Sequence, residues 1–321
     1  MKNINFKACC LILIITLILS SVFVLSSCTD DNAEEKETDK ITFTDALGRE
    51  VKVKKNPKRV AALLGSFADI WMLSGGKLCA CAEDAWTDFS LELDDAVNIG
   101  GAHSPSLELL ISASPDFVIA SASTASNIDI KDSLETMGIT VAYFDVDNFD
   151  DYMNMLNICT DITGRKDLYE KNGITVKTQI DEIKARYAQS DISDAERKIL
   201  LLRAGSSFVK AKGSSGTVLG EMLRDFGCLN IADSNTSLLE NLSIETIIME
   251  EPYHIFAVTM GSDTDTAKKS LENLIKENAA WNTLDAVKNG RFHVMDKTLF
   301  HLKPNVRWAE SYGILYDKLT K

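Results

Sequence analysis

The chain has 321 residues, 45% of them hydrophobic, and carries 47 acidic against 34 basic side chains for a formal net charge of −13. That length supports more than one packed lobe. The acidic balance excludes nucleic acid as a natural partner, because phosphate recognition needs a basic footprint.

Lys2 and Lys7 precede an apolar run over residues 8–25, broken only by Thr16, Ser20 and Ser21, and Ser26, Ser27 and Cys28 follow. This is a targeting segment. About 20 apolar residues span a bilayer, so an uncleaved anchor helix is the plain alternative to a cleaved signal. Small residues directly before a cysteine favour cleavage, and Leu25-Ser26-Ser27-Cys28 resembles the lipobox, whose cysteine is acylated. Residues 1–27 are therefore expected to be a lipoprotein signal peptide and Cys28 the lipidation site, anchoring the protein on the extracytoplasmic face of a cell membrane. Losing Lys2 and Lys7 takes the net charge from −13 to −15. Residues 28–40 are acidic, almost free of apolar side chains, and read as a disordered tether.

Of seven cysteines, Cys9 and Cys10 leave with the signal and Cys28 takes the lipid. Cys79, Cys81, Cys159 and Cys228 remain and are read as buried and unpaired. The four histidines, His103, His254, His293 and His301, are scattered along the chain, and no metal site is expected from them.

After the tether, Leu47-Gly48-Arg49 is a turn signal between two short strands, giving a hairpin. Residues 59–64, 77–82, 117–122 and 139–146 read as strands. Ser66 is expected to cap a helix ended by Gly75-Gly76, and further helices start near Ser106 and Ser126. This is the β-α-β rhythm of a parallel sheet. From about residue 149 to 187 apolar residues recur mostly at helical spacing, with Gly164 and Gly173 as places where the helix bends. Unbroken, it would be on the order of 50 Å long, enough to run between two domains. The alternation then resumes, with strands at 198–203, 254–260 and 291–294 and helices at 216–226 and 305–319. An α/β fold follows: a lobe at 41–147, a bridging helix at 148–190 and a second lobe at 191–321.

An internal duplication supports two lobes. Ser106-Leu107-Glu108 precedes Pro115 and the strand at Phe117, while Ser243-Ile244-Glu245 precedes Pro252 and the strand at His254, with Ser, Glu and Pro equally spaced in both. Each copy reads as N-cap, short helix, proline stop and buried strand.

Here the chain resembles the class III, metal-chelate-type solute-binding proteins of bacterial ABC importers. The resemblance runs from Ile41 to the C-terminus and rests on Thr44-Asp45-Ala46-Leu47-Gly48-Arg49-Glu50-Val51, Asn56-Pro57-Lys58-Arg59-Val60, the two Ser-x-Glu units, Pro115-Asp116 and Gly227-Cys228-Leu229-Asn230-Ile231-Ala232. It implies two Rossmann-like lobes joined by one long helix, a ligand held between them, a monomer, and no intrinsic cofactor. It also implies that Glu108 and Glu245 dock onto arginines of the permease dimer, where the alternative is that each merely complements a helix N-terminus.

Loops after strands supply the candidate cleft walls: Ser66, Trp86, His103 and Ser123 from the first lobe, and Arg203, Lys210, Lys212, His301, Lys303 and Arg307 from the second. Cations gathered in the loops of so acidic a chain point to an anionic ligand, and a ferric siderophore complex fits. Haem is the runner-up, ligated through His103 or His301, and cobalamin remains open. A ligand sensor is the other functional class. The chain has no Gly-x-Ser-x-Gly elbow, P-loop or dinucleotide fingerprint, so no enzyme activity is expected.

Overall fold

A computed structural model of the chain describes residues 39–261 and 263–321. The expected signal peptide, Cys28 and the tether up to residue 38 lie outside the described residues.

Strands β1 (Lys40–Thr44) and β2 (Glu50–Lys54) form the expected antiparallel hairpin. Its turn is built by Asp45, whose carboxylate accepts from the backbone N–H of Leu47 and Arg49, both at 3.0 Å. The same carboxylate accepts from the Tyr143 N–H at 3.3 Å, tying the hairpin to the first lobe. That lobe is a parallel sheet in the order β5-β4-β3-β6-β7, from β3 (Val60–Ala62), β4 (Leu78–Cys81), β5 (Val97–Asn98), β6 (Phe117–Ser121) and β7 (Thr140–Phe144). Helix α1 (Gly65–Leu73) follows β3, and α2 (Leu107–Ser112) precedes β6.

Ser66 does not cap α1. The N-cap is Leu64, which makes no side-chain cap, and Ser66 is buried inside the first turn. The capping role passes to a distant residue, because the Gly65 N–H donates to Asp84 Oδ2 at 2.9 Å. A tertiary carboxylate has replaced the local hydroxyl.

The segment 148–190 is helical but is two helices rather than one. Helix α3 (Phe149–Thr163) is opened by a capping box of Asn148 and Asp151 and closed at Gly164, whose φ of 70° is the left-handed conformation that terminates helices. The chain reverses there and forms a second helix over 166–188, composed of Lys166–Tyr169, a π-turn at Glu170–Ile174 and α4 (Thr175–Ala188). Gly173 does not end this helix. It lets the π-turn press on α3, where an added Cβ would stand 3.0 Å from Met153 Sδ. The second helix spans roughly 35 Å. At one end Asn172 donates to the Leu73 carbonyl at 2.7 Å, and at the other Tyr187 meets Phe226 edge to face at 4.9 Å, so this helix is the bridge.

The second lobe has β8 (Lys198–Gly205), β9 (Phe208–Ala211), α5 (Val218–Asp225), β10 (Leu229–Asn230), α6 (Ile244–Glu250), β11 (His254–Thr259) and β12 (Phe292–Met295). Its order is β10-β8-β11-β12, parallel, with β9 antiparallel to β8. The chain ends in α7 (Trp308–Leu319). The helix Thr264–Glu277, which buries Ala267 and Leu271 with Leu274 and Ile275 packed beside them, was not anticipated.

The duplication is structural. Ser106 caps α2 by accepting from the Leu109 N–H and Ser243 caps α6 by accepting from the Thr246 N–H. Ser114 and Glu251, one residue before each proline, share a left-handed φ of 48° and 47°. Past each proline, the Asp116 N–H donates to the Arg59 carbonyl and the Tyr253 N–H to the Lys198 carbonyl, both at 2.8 Å.

One apolar cluster joins the lobes, running from Phe67 and Phe144 through Phe149, Ile180 and Tyr187 to Phe226 and Leu315. Trp308 is fully buried and packs edge to face on Phe149 at 6.0 Å. The junction is thus the bridging helix reinforced by α7.

Candidate functional site

The carboxyl ends of the strands in an open α/β sheet are where ligands bind. In the second lobe these ends are cationic. Arg203 of β8 is in register with Lys210 of β9, and Lys212 lies two residues further along the same face. Lys297, His301 and Lys303 follow β12. Arg203, Lys303, Lys297 and Lys212 all lie near enough to His301 to disfavour its protonation.

The first lobe answers with carboxylates. Lys303 Nζ stands 3.8 Å from Asp147 Oδ1, beyond β7. Lys297 Nζ holds both oxygens of Asp88, at 2.8 and 2.9 Å. Asn305, fully buried at a left-handed φ of 52°, donates through Nδ2 to the Ser66 carbonyl at 2.9 Å and to Asp69 Oδ2 at 2.8 Å. Three polar contacts therefore cross between lobes at the strand ends.

Positive charge is only partly offset here. Burial lowers the Lys303 pKa, with Asp147 opposing and Arg203 reinforcing the shift, and burial raises that of Asp147, with Lys303 opposing. Burial, then Arg203 and Lys210, depresses Lys212. Arg203 is depressed by burial, and its Nε is buried without a hydrogen-bond partner. His301 is pushed down to about 3, first by burial and then by the surrounding cations, and is neutral at pH 7. Like charges opposed across strands are destabilising, and an orphaned buried donor costs about 1–3 kcal/mol. Such an arrangement is suited to receiving an anion.

Of the expected wall residues, Arg203, Lys210, Lys212, His301 and Lys303 come together. Lys210 also lies over the Phe208 ring at 5.7 Å. Arg307 is exposed and held by Glu310 at 2.7 and 2.8 Å. Ser66 contributes its carbonyl to Asn305 and no free hydroxyl face, being 5% exposed. Trp86 is half-buried against the core, and His103 and Ser123 are exposed in the first lobe. Asp147, Asp88 and Lys297 were missed; Asp147 was discoverable as the acid in the loop after β7. Glu108 and Glu245 are both exposed, one on each lobe, in the first turns of α2 and α6. No described helix is long and apolar enough to cross a membrane.

The family model described as "Periplasmic binding protein" matches residues 60–299. The chain belongs to that family. Its members are substrate-binding transport proteins and not enzymes, as expected from the class III resemblance. Two relatives from Bacillus subtilis (strain 168) are similar over nearly their whole length. The putative ABC transporter substrate-binding lipoprotein YhfQ is 22% identical over 97% of both chains, and the Fe(3+)-citrate-binding protein YfmC is 26% identical over 89% of this chain and 90% of its own. Among solved structures, Staphylococcus aureus SirA complexed with staphyloferrin B superposes with a TM-score of 0.68 at 21% identity, covering 87% of this chain and 98% of that one. This likeness carries the fold: two α/β lobes of the class III type.

Proposed function

We propose that this periplasmic-binding-family chain is the lipid-anchored, extracytoplasmic receptor of an ABC importer, and that it captures a ferric siderophore between its lobes. The observation that carries the ligand reading is the gathering of Arg203, Lys303, Lys297 and Lys212 around neutral His301, with Lys210 opposite Arg203 across the strands and Asp147 the carboxylate facing Lys303. Anionic oxygens around ferric iron would meet these donors, including the unpartnered Arg203 Nε. The name of YfmC, a ferric citrate binder, points the same way. Acylated Cys28 would hold the receptor at the membrane, and Glu108 and Glu245, one per lobe, would dock on arginines of the permease. Haem is the second reading, because a neutral His301 offers a lone pair to iron.

Titration with ferric siderophores, ferric citrate, haem and cobalamin, followed by tryptophan fluorescence, tests the proposal. Saturable quenching by a ferric siderophore is expected, and quenching by haem alone would overturn it.

A further inference from the structure

Lys297 and Asp88 stand on short helices of opposite lobes, and backbone contacts fix both. Asp296 caps the helix Lys297–Phe300 by accepting from the Thr298 and Leu299 N–H at 2.8 and 3.2 Å. Asp88 closes the helix Asp84–Thr87, its N–H donating to the Asp84 carbonyl at 2.9 Å. Between them the ammonium meets both carboxylate oxygens, with only 12% of the lysine side chain and 27% of the aspartate exposed.

The pair has further charge on both sides. Asp84 is close enough to feel it: burial raises the Asp84 pKa first, the Gly65 N–H opposes, Asp88 adds to the rise and Lys297 counters it. Asp84 Oδ1 is also buried without a hydrogen-bond partner. Lys297 in turn is one of the cations that disfavour protonation of His301. On the reading that a ferric siderophore binds between the lobes, we propose that Asp88 and Lys297 form a charge gate, which admits ferric chelates of net negative charge and turns away neutral ones.

A chelate seated at these strand ends parts the two side chains. A neutral complex gives nothing in exchange, so a largely buried ammonium loses its carboxylate, and Asp88 and Asp84 lose the cation they share. Breaking a buried pair without replacing either partner is the costly case. An anionic complex brings oxygens of its own to Lys297, and Asp88, the more exposed partner, is left to water. Selectivity arises here from a penalty on the wrong ligand as much as from a contact to the right one. The same pair holds back the right ligand as well, because Asp88 competes with it for Lys297.

The test titrates the detergent-solubilised full-length chain and its Asp88→Asn and Lys297→Met variants, read by tryptophan fluorescence. The probes are ferric citrate and a ferric tris-catecholate, both anionic, and ferrichrome, whose hydroxamates cancel the charge of Fe3+. The parent chain is expected to prefer an anionic chelate over ferrichrome by about a hundredfold. Each variant opens the gate and should bind ferrichrome at least about tenfold more tightly than the parent, where loss of a merely structural strut would weaken every ligand alike. Asp88→Asn should also tighten the anionic chelate, whereas Lys297→Met should cut the preference for it at least about tenfold. If no ferric chelate binds, the siderophore reading itself falls. If the parent binds ferrichrome as tightly as the anionic chelates, or if either variant fails to bind it more tightly, that reading stands and the gate is overturned.

Discussion

Replacing Lys303 with methionine separates a binding residue from a structural one. The side chain is largely buried, its ammonium 3.8 Å from Asp147 and close to Arg203. Its pKa is depressed, first by burial, so the charged form is disfavoured in the fold at every pH below the folded value, and that penalty fades only as the pH rises toward the ordinary 10.5. Removing the charge while keeping the stem therefore relieves a cost. Asp147 loses its partner, but its side chain is 32% exposed and its charge can be met by water. Because the remaining Asp147 carboxylate is open to water rather than left buried and unpaired, the stability of the ligand-free Lys303→Met protein is expected to stay within about 1 kcal/mol of the parent. Binding behaves oppositely. A unit charge on a ligand about 4 Å from the ammonium is worth roughly 4 kcal/mol gross at an effective dielectric constant of 20. After desolvation about 1.5–3 kcal/mol remains, the net value of a hydrogen bond to a charged group. The dissociation constant for a ferric siderophore should rise roughly ten- to hundredfold. Fluorescence titration and thermal denaturation of the same preparations read both quantities. A variant that loses several kcal/mol of stability and binds the chelate unchanged would refute the reasoning.

Three further outcomes follow. Glu108→Ala and Glu245→Ala alter exposed carboxylates and should each change stability by less than about 0.5 kcal/mol, yet together abolish co-purification with the permease. Acidification should destabilise the fold between pH 6.5 and about 4: His254, His293 and His301 are bases with depressed pKa, so the unfolded chain binds protons that the native chain refuses. Each contributes up to about 1.4 kcal/mol per pH unit in that window, and His301→Gln should flatten the dependence of urea midpoint on pH. Asn305→Ala removes the donor to the Ser66 carbonyl and Asp69, and should lower stability by about 1.5–3 kcal/mol in thermal denaturation.

Features written locally in the chain could be read from it. Buried parallel strands are apolar runs between turn residues, and the two Ser-x-Glu units carry their own caps, which form as expected at Ser106 and Ser243. Features that depend on distant partners could not. Ser66 has every local mark of a cap, but the cap comes from Asp84, 19 residues beyond the Gly65 N–H that it accepts from. The two-residue strands β5 and β10 are too short for any periodicity, and the break at Gly164 competes with apolar spacing that continues on both sides. At the candidate site the cations could be named because loops after strands are where the fold displays side chains. Their counter-charges escaped notice, since Lys297 and Asp88 are 209 positions apart and only the folded chain brings them together.

Those counter-charges change what the cleft is. A rim of free lysines would attract an anion from a distance but would also repel itself in the empty protein. Here Asp147 and Asp88, from one lobe, partly neutralise Lys303 and Lys297, from the other, so the lobes attract one another at the same strand ends where a ligand would enter. On the proposed reading, an anionic ligand would compete with Asp147 for Lys303, and the surplus charge on Arg203, Lys210 and Lys212 would favour the ligand. The apolar junction through Phe149 and Trp308, together with the Asn305 contacts, keeps the two walls in register during the exchange. Recognition of such a ligand would then amount to substituting one set of oxygens for another in a frame built beforehand, with little ordering cost.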